Sequence, residues 1–386
     1  MRPLALVLLL AVPASAADVL YGGWKAPELH PRLGFSESYD DNIFRAPPGR
    51  ESSSWIHAFE AGLDAAVQSP SEIHRFDVGY DAAYQVFTRD PSFNNAFNQA
   101  LRAGYRWAAP TGFTASLRDQ YVNTNDPPTS EQTGRFRNWR NAVTLDLEYA
   151  PEGGRLVLGL DGSHSAFKYV SDVPRLSALL NRTEQVFGGK AGYRLLPKTV
   201  VYAAYHRRLI HPTAGPATPP RDSRSHVASA GVEGDLAPKV TGSVEGGLTY
   251  RAYPDRVVRR FTSAARLSYR ALEDLVIDGE AFRRFEEATF GVGRFYVATG
   301  ASASARYRLP AGLGVAAGFG VERDEFGEGP RRRDVIYQAR GALDYTLRGR
   351  YTLALGHVFR RRDSGGLTTG FGFRNGVTTL SATARF

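Results

Sequence analysis

Apolar and polar residues alternate with a period of two along almost the whole chain, and the links between the alternating segments are themselves alternately tight and long. With turn residues as punctuation, the sequence predicts eighteen strands, over 31–40, 55–68, 73–88, 95–108, 112–124, 137–150, 155–169, 183–196, 199–209, 224–236, 240–253, 258–272, 275–287, 295–309, 313–324, 334–347, 351–363 and 373–386. After the even strands come short turn sequences such as Ser69-Pro70-Ser71, Ala109-Pro110-Thr111, Pro197-Lys198, Pro310-Ala311-Gly312 and Arg348-Gly349-Arg350. After the odd strands come longer polar or proline-rich segments, notably 41–54, 125–136, 170–182, 210–223, 325–333 and 364–372. An arbitrary segmentation would not sort its links this way. The even strand count also returns both termini to one end of the sheet.

Side-chain alternation is an independent check. On the third strand Phe76, Val78, Tyr80, Ala82, Tyr84 and Val86 share one face, and Arg75, Asp77, Asp81 and Gln85 share the other. A soluble sandwich alternates too, so the placement of aromatic residues decides. Trp107, Tyr149, Tyr193, Tyr269, Tyr307, Tyr345 and Phe386 fall near the tight-turn ends of even strands, as one girdle. Tyr84, Tyr121, Tyr205, Tyr250, Phe285 and Phe359 fall near the opposite end, as a second belt. The pattern predicts an all-β fold: a transmembrane antiparallel up-and-down β-barrel of about 18 strands in the bacterial outer membrane, both termini periplasmic. The first strand must pair with the last, because a free hydrogen-bonding edge in hydrocarbon has no water to satisfy it. Such a barrel is wide enough for an aqueous lumen.

The N-terminus agrees with export. Arg2, the apolar run Leu4 to Val12 and Ala14-Ser15-Ala16 make residues 1–16 a signal peptide. Residues 17–30 are expected to be a short periplasmic segment and 31–386 a single barrel domain, with too little chain before the first strand for a plug. There is no cysteine, so strand pairing must supply the stability. Lysine and arginine total 48 against 39 acidic residues, a formal charge of +9. After export this favours lipopolysaccharide or an acidic polymer as partner and disfavours nucleic acid.

Alternation places Arg102, Arg118, Arg140, Arg260, Arg266, Arg306 and Arg340 on the lumen face, interleaved with carboxylates such as Asp81, Asp146 and Glu280. They can brace the wall as cross-strand ion pairs or meet an anionic polymer, since guanidinium binds carboxylate and phosphate bidentately. Arg331-Arg332-Arg333 and Arg360-Arg361-Arg362 fall at or near predicted outer loops, where they are expected either to meet lipopolysaccharide phosphates or to be plain solvated loop charge. Asp40-Asp41-Asn42 could ligate calcium but lacks a dedicated loop spacing, and reads better as a capped strand end. Ser163-His164-Ser165 comes without a nucleophile elbow, and the eight histidines show no metal-ligand spacing. No enzyme activity, metal or cofactor is expected.

Gly34-Phe35-Ser36-Glu37-Ser38-Tyr39-Asp40-Asp41-Asn42-Ile43-Phe44-Arg45 on the first strand, tyrosine–arginine pairs at strand ends and the terminal Phe386 resemble the β-barrel porin family found with exopolysaccharide-secretion systems. The resemblance implies export or passage of an anionic polysaccharide. The expected partners are the barrel-assembly machinery, for which Phe386 is the C-terminal signal, and periplasmic polysaccharide-export components. A general diffusion porin for small solutes is the alternative, which an inward-folding constriction loop at 170–182 or 210–223 would favour, and an outer-membrane enzyme or a structural barrel is the minor one.

Overall fold

A computed structural model describes residues 24–126, 135–170, 180–213, 221–288, 293–328, 332–366 and 371–386. The expected signal peptide, and residues 127–134, 171–179 and 214–220 of the loops at 125–136, 170–182 and 210–223, lie outside the described residues. All eighteen expected strands are present: β1 (Glu28–Asp40), β2 (Ser54–Gln68), β3 (His74–Phe87), β4 (Ala96–Ala108), β5 (Phe113–Thr124), β6 (Asn138–Tyr149), β7 (Leu156–Tyr169), β8 (Arg182–Leu196), β9 (Thr199–Pro212), β10 (Ser223–Ala237), β11 (Val240–Ala252), β12 (Val257–Arg270), β13 (Leu275–Glu287), β14 (Phe295–Arg308), β15 (Leu313–Phe326), β16 (Arg332–Leu347), β17 (Tyr351–Gly366) and β18 (Phe373–Arg385). One short helix, α1 (Pro91–Asn94), interrupts the β3–β4 link. β1 begins at Glu28, earlier than the sequence reading placed it, and runs through Pro31. Proline is tolerated there because the β18 ladder starts only at Arg32, and the one bond Pro31 makes to that side is through its carbonyl, which accepts from the Phe386 N–H at 3.0 Å.

Each strand pairs antiparallel with the next and β18 pairs with β1, which closes the barrel. The tight turns use positive φ where the twist demands it. Arg348 and Gly349, at φ 52° and 69°, are the central residues of the turn between β16 and β17, which the Arg350 N–H closes on the Leu347 carbonyl at 3.1 Å, and positive φ at both matches right-handed strand twist. The wall is sheared. Tyr193, Val201, Val232, Val244, Ala265, Ala281, Ala301, Val321 and Tyr337 are successive Cα partners, a row that starts near the tight-turn end of β8 and finishes near the long-loop end of β16. Strand tilt of this kind is what closure requires.

The seam between first and last strands carries its own lock. Asp40 Oδ1 accepts from the Asn42 backbone N–H at 2.8 Å and from Asn375 Nδ2 at 2.6 Å, and Asp41 Oδ1 accepts from the Gly376 N–H at 2.7 Å. Fully buried Asn42 donates to the carbonyls of Ala46 and Arg374. Asp40-Asp41-Asn42 is therefore a strand cap that ties β1 to β18. Among the described residues no acidic or histidine cluster is fit to hold a metal ion.

Candidate solute pathway

The register puts all seven sequence-selected arginines on the inward face, with different surroundings. Arg102 pairs with Asp64 at 3.1 Å and Asp81 at 3.0 Å, and Arg32 reaches the same two carboxylates, a four-residue lattice over β1–β4. Arg118 pairs with Asp146 at 2.5 Å and Arg266 with Glu280 at 3.4 Å. Arg140 lies 5.1 Å from the Phe167 ring centre, and Arg260 donates to the Arg259 carbonyl at 2.8 Å. Arg306 and Arg340 have no ion-pair partner among the described residues. Elsewhere Lys190 meets Glu233 at 2.7 Å, Tyr202 donates to Glu245 at 2.7 Å and His206 faces Asp161 at 3.1 Å. The middle of the lumen is thus largely charge-paired.

The tight-turn mouth is different. Arg75, Arg106, Arg270, Arg306, Arg308 and Arg385 occupy inward positions there without an ion pair among the described residues, and Arg75 and Arg106 are direct cross-strand neighbours. The inward carboxylates of the same zone that likewise lack an ion pair are Glu28, Asp77, Asp278 and Asp344. Positive charge is in surplus at this mouth.

At the long-loop end the wall overlaps itself. The β12–β13 ladder covers only Ser263–Arg270 against Val276–Arg283, whereas β12 pairs with β11 along its length. Above the break, the β13–β14 hairpin passes inside β12. Phe285 and Val297, on outward positions, pack against Val258, which faces inward, and against Tyr253 and Phe295. Phe285 is 6% exposed, which corrects its assignment to the second aromatic belt: its outward face meets β12 instead of lipid. Arg251, inward on β11 and 2% exposed, lies 4.1 Å from the centre of the Phe285 ring. It also binds Ser225 Oγ at 2.7 Å, the Phe285 carbonyl at 3.3 Å and the Glu287 carboxylate.

A clasp spans the break from above. Arg294 donates to Asp255 at 2.5 Å and to Glu328 at 2.7 Å, and Arg256 also reaches Glu328, so three loops meet on one guanidinium. Hydrogen bonds from Arg294 hold Asp255 below the usual carboxylate range. Burial raises Glu328, but the bonds from Arg294 outweigh it and the group is likewise held low.

Other arginines repeat the stacking around this rim, with Arg135 on Phe87, Arg182 on Phe167, Arg332 on Phe326 and Phe371, and Arg362 on Phe373. Sequence reasoning missed these roles. Arg332 and Arg362 face inward and are buried, Arg332 against Asp334, which corrects both expectations for them: they are neither lipopolysaccharide contacts nor solvated loop charge. Arg331 lies outside the described residues. The nearby phenylalanines were the available signal.

The girdle residues Trp107, Tyr149, Tyr193, Tyr269, Tyr307 and Tyr345 are all exposed on the outer wall, as is Phe386, whose N–H donates to the Pro31 carbonyl. His164 points outward while Ser163 and Ser165 point inward, so the three cannot act together. No helix among the described residues is long and apolar enough to cross a membrane.

Solved outer-membrane proteins share this architecture. OpdO from Pseudomonas aeruginosa superposes with a TM-score of 0.51 at 13% identity, over 93% of this chain and 97% of that one. The outer membrane protein OpdK from the same organism gives 0.50 at 11% identity, over 93% and 99%. Among curated proteins no sequence matches. Residues 21–386, which include every strand of the closed barrel, match the family model described as "Putative beta-barrel porin 2", and the chain belongs to that family of porin-like outer-membrane barrels.

Proposed function

We propose that the barrel is a non-enzymatic outer-membrane conduit for anionic solutes, with acidic polysaccharide as its cargo, moving outward from the periplasm. The observation that carries this reading is the surplus of unpaired arginines at the tight-turn mouth, Arg75, Arg106, Arg270, Arg306, Arg308 and Arg385. In outer-membrane barrels the short turns and both termini are periplasmic. A basic mouth there raises the local concentration of an anion arriving from the cell, and the charge-paired middle lets it move on without being trapped. Periplasmic export components would dock at this mouth, and Phe386 would serve the assembly machinery.

A second reading, diffusion of small anions, draws on the inward β13–β14 hairpin, which narrows the long-loop end. OpdK has been solved with vanillate, a small aromatic carboxylate. Planar-bilayer recordings separate the two. Wild type should be anion-selective, and uronic-acid oligosaccharide added on the periplasmic side should block its current. The triple variant Arg75→Gln, Arg106→Gln, Arg306→Gln should lose both properties. Unchanged selectivity in the variant refutes the conduit mechanism, and block by small carboxylates alone transfers the assignment to the diffusion porin.

A further inference from the structure

The outward wall of β9–β12 carries cations where lipid contact calls for apolar residues. Arg207 on β9, His226 on β10, Tyr250 on β11 and Arg259 on β12 are consecutive Cα partners, so they stand side by side in one row. Arg224 follows two residues beyond His226 toward the loops, on the same face. The row is organised. The Arg259 guanidinium lies 5.6 Å from the Tyr250 ring centre, and the His226 ring centre lies 6.1 Å from that of Tyr250 and 6.0 Å from that of Tyr205. The Tyr205 hydroxyl is hydrogen-bonded to His226 Nδ1.

What the row lacks is an acid. Arg207, Arg224 and Arg259 are exposed and make no ion pair or side-chain hydrogen bond among the described residues. The outward positions of β9, β10, β11 and β12 include no carboxylate. Asp222, just before β10, faces His211 at 3.3 Å. Three arginines on a lipid-facing wall are costly unless they reach an anion at the membrane surface. Long guanidinium arms can do so by snorkelling. Just below the row Tyr205, Ala228, Leu248 and Phe261 are again mutual partners, an apolar strip on which acyl chains can lie.

We propose that this row is a binding site for the phosphates of outer-leaflet lipopolysaccharide. Arg207, Arg224 and His226 take one phosphate and Arg259 takes the second. Four adjacent strands set the two ends roughly 14 Å apart, a separation that suits a ligand with two phosphates better than a phospholipid with one. Guanidinium supplies the bidentate donors that phosphate accepts. The proposal rests on the reading that the long-loop end faces outward, and not on what passes through the lumen.

The test is native mass spectrometry of the refolded full chain in detergent, with three probes: deep-rough lipopolysaccharide, the same lipid after phosphatase treatment, and phosphatidylglycerol. Wild type should retain the phosphorylated glycolipid. The double variant Arg207→Gln, Arg259→Gln should retain it at least about tenfold less, and the dephosphorylated lipid should bind wild type as weakly as that. Equal retention by variant and wild type overturns the site, and equal retention of phosphatidylglycerol overturns its assignment to lipopolysaccharide. Because the substituted residues face away from the lumen, the variant should keep wild-type conductance and selectivity. Those recordings judge the conduit separately from the lipid site.

Discussion

Replacing Arg251 by methionine should make the long-loop end flicker open. Arg251 and Glu287 form a pair whose side chains are 2% and 9% exposed, and the guanidinium is the carboxylate's ion-pair partner. With the cation gone, leaving Glu287 buried and unpaired costs about 3–5 kcal/mol. Opposing release is the apolar packing of Phe285, Val258 and Val297, 6%, 7% and 5% exposed, which contributes about 1.5–3 kcal/mol for each side chain. The packing outweighs the stranded carboxylate, so the joint still closes most of the time. A bias of about 3 kcal/mol nonetheless moves the open-to-closed ratio by roughly two orders of magnitude, enough to register as brief high-conductance events in single-channel traces. The double variant Arg251→Met, Glu287→Leu should be quiet again, because an apolar pair of similar volume restores the packing without a stranded charge. Traces of Arg251→Met that match wild type, or a double variant as noisy as the single, would refute the claim that this ion pair holds the joint.

Three further outcomes follow from the geometry. Gly234 has φ 114° and a Cβ there would strike the Lys198 carbonyl, so Gly234→Ala should lower stability by about 1–3 kcal/mol, read as a shift in the urea midpoint of the refolded barrel; an unmoved midpoint would show that the strand can relax. Asn375→Leu removes the seam bonds to Asp40 and the Asn42 carbonyl and should cost about 1–3 kcal/mol, lowering the temperature at which the folded band is lost on unboiled gels. The clasp of Asp255 and Glu328 on Arg294 should fail only in acid: both carboxyls are held below their unfolded values, so the stabilisation is complete above the ordinary carboxylate range and is lost as pH falls through the lowered values. Amide protection in 253–256, referred to the intrinsic exchange rate at each pH, that is lost at pH 3 but kept at pH 6 would confirm this, and equal protection at both would contradict it.

Period-two reading recovered the strands because each one has a wet and a greasy face, and a one-residue slip would exchange them. It recovered the direction in which Phe285 points, but not what Phe285 meets. Alternation reports a face; whether that face touches lipid or a neighbouring strand depends on the β12–β13 ladder ending at Ser263, which no local pattern announces. The arginine runs mislead for a related reason. Three successive arginines look like loop charge, yet along a strand they alternate: Arg360 and Arg362 turn inward while Arg361 turns outward to Asp363. The same blindness affects Arg102 and Arg306, which are equivalent by parity, although among the described residues only Arg102 of the two makes ion pairs, with carboxylates supplied by the non-adjacent β2 and by β3.

The overlap also changes what the basic composition means. Where the β12–β13 ladder stops, backbone carbonyls lose their cross-strand donors and must find others, since an unmet acceptor in the wall is expensive. Arginines take over that task. Arg251 donates to the Phe285 carbonyl, Arg260 to that of Arg259, and Arg221 to those of Ala288 and Gly293. A guanidinium suits the role because its five donors form a rigid fork that can serve a carbonyl and a carboxylate at once, as Arg251 does with Phe285 and Glu287. Part of the +9 charge therefore substitutes for strand pairing. Among the described residues, the arginines grouped at the tight-turn mouth and on the outer wall have neither a carboxylate nor a carbonyl on their guanidinium, and these two groups are left for anions. Neutralising these two sets should change selectivity and lipid retention respectively, whereas neutralising Arg251 should change gating. A single substitution series that moved all three properties together would mean that net charge acts as a bulk quantity, and that the division of labour among these arginines is wrong.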